Sequence, residues 1–297
     1  MSSIRRTDLL ALSNLRHDGR KPDEIRRMRV QLGPVSDTNS GSALVEMGLT
    51  SALATVNGPL GCVRRSDEKP DRAIVEVSVK TAPFAPSGGD RRVTNPQSDR
   101  RLIELAQLIQ RAVTATLLLQ LYPKSRIQVQ IVILSDDGGR LCAAINAASA
   151  AIIDAGLPMK DVLCACSAGI STSTDLTLID LNRQEESSSS SGGGGGKGAV
   201  NLPCAMLPQR GTLVLSQCEA RIANFETLDR ILEAAMAGCR VVFEILSAAV
   251  RERASSLMQL RNGGNGMVIV DSFASAAAAQ HDDWLTGWLT VTVTFRF

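Results

Sequence analysis

Aromatic side chains are scarce in this chain, making up 3% of 297 residues with one Tyr, two Trp and six Phe. A platform on which successive bases stack is therefore not expected, and any nucleic-acid contact should fall on the sugar-phosphate backbone. Histidine is scarcer still: His17 and His281 are the only two, and neither stands near a paired Ser, Cys or second His. That argues against a Ser/His/Asp or Cys/His nucleophilic site. There is no P-loop and no dinucleotide fingerprint, so no nucleotide cofactor is expected. No run of about eighteen uncharged apolar residues occurs, and the opening MSSIRRTDLLALSNLRHDGR lacks a signal peptide's unbroken apolar segment. Neither membrane insertion nor secretion is indicated. The net charge of +2 is too small to draw a polyanion over long distances.

A hydrophobic content of 44% is enough for a real core, in one large domain or two small ones. The seven cysteines are Cys62, Cys142, Cys164, Cys166, Cys204, Cys218 and Cys239, an odd number scattered in mostly apolar context. They read as reduced core thiols rather than a disulfide framework, in keeping with nucleus or cytosol. Cys164 and Cys166 share a strand face, but no second ligand pair with finger-like spacing follows, so no zinc site is expected. Arginines cluster at Arg26, Arg27 and Arg29, at Arg64 and Arg65, and at Arg91, Arg92, Arg100 and Arg101. Clustered guanidinium groups can take phosphate bidentately, and equally can form a solvated face.

Periodicity orders the chain. Gly41–Gly48 and Ala52–Val56 are short β-type runs, and Ala73–Lys80 alternates Val75, Val77 and Val79 with Glu76, Ser78 and Lys80 as a half-buried strand does. Leu102–Tyr122 carries Leu102, Leu105, Ile109, Ala112 and Leu119 on one helical stripe ending at Pro123. Ile127–Leu134 is a strand. DDGGR then turns into an Ala-rich helix, Leu141–Asp154, which exits through Gly156 and Pro158. Such a Gly-rich helix start points N–H groups and the positive dipole end at an anion, although similar turns also serve as plain connections. Arg101, at the other helix start, is a candidate second anion contact if the two starts converge. Val162–Ser173 and Asp175–Asn182 read as strand, the latter as strand or turn. NLPCAMLP and TLVLSQC are further strands, Glu226–Leu260 is a long amphipathic helix, and Leu289–Phe297 alternates as a terminal strand able to add to a sheet edge here or in a partner.

After the strand or turn Asp175–Asn182 lies EESSSSSGGGGGKGAVNLPCAMLPQRG, with no carboxylate from Ser187 to Gly211. Ser and Gly in a row bury no apolar area, so residues 187–198 are expected to form a flexible insertion.

The segments RHDGRKPDEIRRMRV, GSALVEMGLTSALATVNGP, PDRAIVEVSVKTAPF, SDRRLIELAQLIQRAV, DDGGRLCAAINAASAAIIDAGLPMKDVLCACSAGI and LPCAMLP, in this order from about Leu15 to Leu260, resemble the RNase PH family, in particular its eukaryotic exosome ring subunits. The resemblance implies an α/β (α+β) fold, the duplicated βαβ arrangement with two mixed sheets and packed helices. It places one domain at residues 1–262 and a C-terminal extension at 263–297. It further implies pairing with other RNase PH-type subunits into a hetero-hexameric ring, RNA-binding cap subunits above the ring, single-stranded RNA in its channel and an associated hydrolytic exoribonuclease. Nucleus, nucleolus and cytoplasm are the implied locations.

Active members of the family shorten RNA from the 3′ end by phosphorolysis. An arginine and the backbone after the Gly-Gly turn hold inorganic phosphate, and acidic residues assist the leaving oxygen together with a divalent metal. Arg101 and the pair Gly138 and Gly139 match the phosphate positions. Arg140 and Leu141 stand where active members carry Thr-Arg or Ser-Arg. Glu186 in DLNRQEES matches the first acidic position, whereas the second reads Asn201-Leu202-Pro203. Asparagine keeps an acceptor oxygen but carries no charge to bind a cation and takes up no proton. The Ser/Gly run is also expected to loosen the Glu186 to Asn201 distance, where catalysis needs placement to about 0.5 Å. The reading is therefore a non-catalytic ring subunit, with no cofactor, no metal, a vestigial phosphate site at Arg101, Gly138, Gly139 and Arg140, and RNA contacts at Arg64, Arg65, Arg91, Arg92 and Arg100. The alternative is an active phosphate-dependent 3′–5′ exoribonuclease subunit. Each phosphate neutralised on a single strand contributes about 0.7 to the slope of log affinity against log salt, so replacing Arg91 and Arg92 together by Ala should flatten that slope by about one unit or more. An unchanged slope in salt-titrated RNA binding by the assembled complex would remove both from the RNA path.

Overall fold

The computed structural model describes residues 15–16, 18–35, 40–61, 68–85, 100–170, 176–190, 200–218 and 224–261. Five strands make the first sheet: β1 (Met28–Leu32), β2 (Ser40–Met47), β3 (Thr50–Gly61), β4 (Ile74–Thr81) and β5 (Ser125–Ser135), in the order β1-β2-β3-β5-β4. β4 and β5 run parallel, and helix α1 (Arg100–Thr116) lies in the long crossover that parallel neighbours require. The other pairs are antiparallel. β5 lies between β3 and β4, and its alternation is realised: Ile127, Val129, Ile131 and Ile133 are all buried.

The second sheet has the order β7-β6-β8-β9, from β6 (Cys164–Ile170), β7 (Thr177–Ile179), β8 (Val200–Leu207) and β9 (Thr212–Ser216). It is antiparallel throughout, so only the first sheet is mixed. Helix α2 (Arg140–Asp154) packs on β2 and β3 of the first sheet and on β6 of the second. Every residue from Cys142 to Ile152 is buried, and the Ala-rich sequence allows both sheets to come close. A helix apolar all round must be an inner layer. Two more helices follow, α3 (Arg183–Ser190) and α4 (Phe225–Arg261). α4 buries a stripe of Ile231, Ala235, Cys239, Val242 and Leu246. Fully burying one such Leu or Ile contributes about 1.5–3 kcal/mol. Cys142, Cys164, Cys166, Cys204 and Cys239 are buried free thiols, and Cys218 is exposed. Compactness divides the chain after Arg253, inside α4; of the second unit the described part is Ala254–Arg261, which continues the helix.

Three expectations differ from the structure. The first helix stops at Thr116 rather than Tyr122, because the Lys160 N–H bonds to the Thr116 carbonyl and Leu117 bridges to Met159; Leu119–Leu121 is a separate 3-10 turn. Met28–Leu32 is a strand that the sequence pattern did not single out. Ser187–Ser190, expected within a flexible insertion, are the last residues of α3, while 191–199 lie outside the described residues. The extension 262–297, with the expected strand Leu289–Phe297, also lies outside them.

Close packing of strand on helix is sharpest at Gly41, where an added Cβ would sit 2.3 Å from both the Ala151 carbonyl oxygen and the Ala155 nitrogen. Backbone on both sides cannot swing away. Gly41→Ala should therefore cost about 1–3 kcal/mol in denaturant unfolding, as overpacking does, whereas Gly61→Ala, with nothing within 4 Å of its added Cβ, should be near neutral.

Candidate functional site

The site is assembled around the turn between β5 and α2. Gly138 and Gly139 have φ of +88° and +68°, the left-handed region that favours glycine. Space demands glycine too: a Cβ on Gly138 would meet the Arg183 nitrogen at 2.6 Å, and one on Gly139 would meet Arg26 Nη2 at 2.7 Å. Underneath lies a buried ion pair. Arg26 donates from Nη2 to Asp180 Oδ1 at 2.7 Å, and from Nε and its backbone N–H to Asp180 Oδ2, both at 2.9 Å. The same guanidinium donates to the carbonyls of Asp137 (3.0 Å) and Gly138 (3.3 Å). Thr50 completes the support, its hydroxyl donating to the Gly138 carbonyl at 2.7 Å and accepting the Asp137 N–H at 2.9 Å. Burial works against the charge of Arg26, yet the bond and field of Asp180 outweigh it and raise its pKa.

The second wall is α3. Asn182 and Glu185 form a capping box: the Asn182 side chain accepts the Glu185 N–H at 3.0 Å, and Glu185 accepts the Asn182 N–H at 2.9 Å. Arg16, its side chain buried, pairs with Glu185 and reaches the carbonyls of Ile179 and Asp180. This fixes Glu186 one residue on, facing the turn. Glu186 Oε1 accepts the Gly139 N–H at 2.9 Å and the Asn201 Nδ2 at 3.3 Å. Asn201 is held on β8 opposite Gly169 of β6. Burial pushes the Glu186 carboxyl upward, the Gly139 N–H opposes that, and the nearby Asp136 charge adds to it. Asp137 is likewise raised, first by burial.

Of the residues proposed from sequence, the structure brings Gly138, Gly139, Arg140, Glu186 and Asn201 together. Arg140 sits 3.4 Å from Asp136 Oδ2, and Asp136 Oδ1 accepts the Gly138 N–H at 3.2 Å. Arg183 adds a second guanidinium 3.7 Å from Asp136. Arg100 and Arg101 are exposed in the first turn of α1, with Arg100 donating to Glu104 at 3.0 Å. Arg64, Arg65, Arg91 and Arg92 lie outside the described residues. One expectation is overturned: the Ser/Gly run does not loosen Glu186 from Asn201, because the capping box and the β6–β8 pairing pin each end independently of the run between them. Another is corrected, since Arg26 belongs to no surface cluster but is 5% exposed. The sequence carried a signal for it in Asp180, a lone acid inside the apolar run LTLIDL, which burial obliges to have a partner.

The donor set here is one carboxylate, Glu186, and one neutral amide, Asn201, which turns Nδ2 toward Glu186 and leaves its Oδ1 buried without a hydrogen-bond partner among the described residues; it carries less negative charge for a divalent ion than two carboxylates would. The upward shift of Glu186 has a consequence for stability. The folded carboxyl keeps its proton to higher pH than an ordinary one near 4.5, so the native state binds more protons above that value, and stability falls as pH rises through the folded pKa. Glu186→Gln keeps an acceptor for Gly139 and removes the titration. The melting temperature of the wild type minus that of Glu186→Gln should therefore decrease as pH rises from 4.5 toward 7; a difference that grows with pH would refute the assignment.

The 3′ exoribonuclease family, domain 1, RNase PH, matches residues 24–158. Human exosome complex component RRP41 is 36% identical over 247 residues, covering 82% of this chain and 94% of that protein. The Rrp41 component of Methanopyrus kandleri is 33% identical over 245 residues, covering 82% and 95%. Among solved structures, the crystal structure of rice Rrp46 superposes with a TM-score of 0.64 at 24% identity, over 79% of this chain and all of that one. The Archaeoglobus fulgidus exosome with RNA bound to the active site gives 0.62 at 24% identity, over 79% and 93%. The last two likenesses are of fold. With more than four fifths of its length aligned at over 30% identity to exosome components RRP41, and with the two-sheet architecture those neighbours share, the chain belongs to the RNase PH family of 3′ exoribonucleases.

Proposed function

We propose that this chain is a ring subunit of an RNA exosome and that it is non-catalytic, contacting RNA in the central channel and bracing its neighbours while other subunits degrade or trim RNA from the 3′ end. Its similarity to proteins named exosome complex component RRP41 supports the exosome role. The non-catalytic reading is carried by one observation, the Asn201 amide donating to Glu186 at 3.3 Å. Two carboxylates at that separation would repel unless a proton or a cation stood between them. Here a neutral amide donates to the single carboxylate, and no such repulsion arises. The Gly139 N–H is bonded to Glu186 and the Gly138 N–H to Asp136, so these two donors of the turn are taken within the chain.

In this reading the other RNase PH-type subunits complete a hetero-hexameric ring, RNA-binding cap subunits sit above it and a hydrolytic exoribonuclease associates with it. Arg64, Arg65, Arg91, Arg92 and Arg100 hold the RNA backbone, and the assembly works in nucleus, nucleolus and cytoplasm. The alternative, an active phosphorolytic subunit, draws on the intact Gly138-Gly139 turn and on Arg101. The two readings part in one assay. Given a 3′-ended RNA and millimolar inorganic phosphate, the purified assembly should release no nucleoside diphosphate, and mutating Glu186 should change nothing. Diphosphate release that Glu186→Gln abolishes would establish the alternative.

A further inference from the structure

A groove of about 640 Å³ lies on the opposite side of β7 from β6, between that strand, the segment before β1 and the outward face of α4. Its floor is apolar, from Ile25, Ile179, Ala237 and Val241. Its lining is acidic in balance, with three carboxylates, Asp23, Glu24 and Glu233, against the single guanidinium of Arg230. Val241 is 42% exposed, so an apolar side chain here is left to water. None of these residues belongs to the Glu186 site.

Arg16 brings one particular stretch of chain to this groove. Its buried guanidinium donates to the carbonyls of Ile179 and Glu24, both of which line the groove. The chain preceding it therefore starts beside β7. That stretch, residues 1–14, reads MSSIRRTDLLALSN. It carries the apolar Leu9, Leu10 and Leu12, with the basic pair Arg5 and Arg6 before them and one acid, Asp8. Fourteen extended residues reach roughly 45–50 Å, whereas the α4 side of the groove, from Arg230 to Val241, is only about 16 Å long at 1.5 Å per residue. Reach is ample. A tether this short also holds the segment at an effective concentration on the order of millimolar, enough for a weak docking contact to be occupied.

We propose that residues 1–14 dock in this groove, with Leu9, Leu10 and Leu12 on the apolar floor and Arg5 and Arg6 against Asp23, Glu24 and Glu233. The segment thereby covers the apolar side chains that the groove leaves to water, Val241 above all. Burial of the leucines holds it, and the charge pattern sets its direction along the groove.

The test is photo-cross-linking from a benzoylphenylalanine placed at Val241 of the full chain in its purified assembly. The expected product keeps the mass of a single chain on a denaturing gel, and its tryptic fragments map the link to Leu9–Leu12. Glu233→Arg, a change at an exposed position, should reduce that product several-fold, and combining it with Arg5→Glu and Arg6→Glu should restore it. A cross-link to a different chain would mean that the groove receives a partner, and would overturn the proposal. So would the absence of any cross-link, or a single-chain cross-link that is indifferent to all three charge changes.

Discussion

The buried pair of Arg26 and Asp180 is the constraint on which the site depends. Neither side chain is more than 5% exposed, so removing one partner alone would leave an uncompensated charge, a loss of about 3–5 kcal/mol. Its importance lies in what it joins. Arg26 precedes β1 of the first sheet, Asp180 follows β7 of the second, and the guanidinium also holds the carbonyls of the turn that opens α2. Three distant parts of the chain are thus registered at one point. Arg16 repeats the device a short distance away, pairing with Glu185 while donating to the carbonyls of Ile179 and Asp180. Both arginines lie in the stretch before β1, which consequently acts as a seam across the two sheets.

With the turn held in this way, the Gly139 N–H points toward Glu186, and the electrostatics around it are settled within the chain. The start of a buried helix is a place of positive potential that attracts an anion. In this protein a carboxylate of the chain itself supplies that anion, and Asp136 takes the neighbouring N–H and the charges of Arg140 and Arg183. A dissolved phosphate would compete with groups already in place. The raised pKa of Glu186 shows what this arrangement costs, for burial outweighs the hydrogen bond that favours its charged form.

Much of the architecture was legible because alternation and helical spacing are strong where burial is one-sided. The strands β4 and β5, the Ala-rich α2 and the long α4 all follow from such patterns. The end of α1 was not legible, since a continuing apolar stripe through Leu119 looks helical, and only the distant Pro158–Lys160 segment diverts the chain at Thr116. β1 was hidden by its charge: in MRVQL the outward Arg29 and Gln31 are solvated, leaving too short an apolar pattern. At the site, resemblance identified Gly138, Gly139, Glu186 and Asn201, and the structure joins them. Of the buried Arg26–Asp180 pair only the acid was legible, because nothing local says which of three neighbouring arginines turns inward. The capping box Asn182-x-x-Glu185 was readable in principle, but the Ser run directly after it suggested mobile chain instead of a helix.

The composition between Glu186 and Asn201 follows from how its ends are held. Glu186 is fixed by the capping box and the turn, and Asn201 by pairing between β6 and β8, with Ile170 opposite Val200 and Gly169 opposite Asn201. The partners that hold the two ends, Gly139, Asn182 and β6, all lie outside that stretch. Lengthening a loop whose ends are already fixed costs little, about 0.6 kcal/mol for each doubling, so the fold tolerates Ser and Gly there at small expense. Glu186 and Asn201 meet at 3.3 Å with the run between them. An amide at position 201 gives Glu186 a hydrogen bond without adding a second negative charge, so the pair draws a cation less strongly than two carboxylates would.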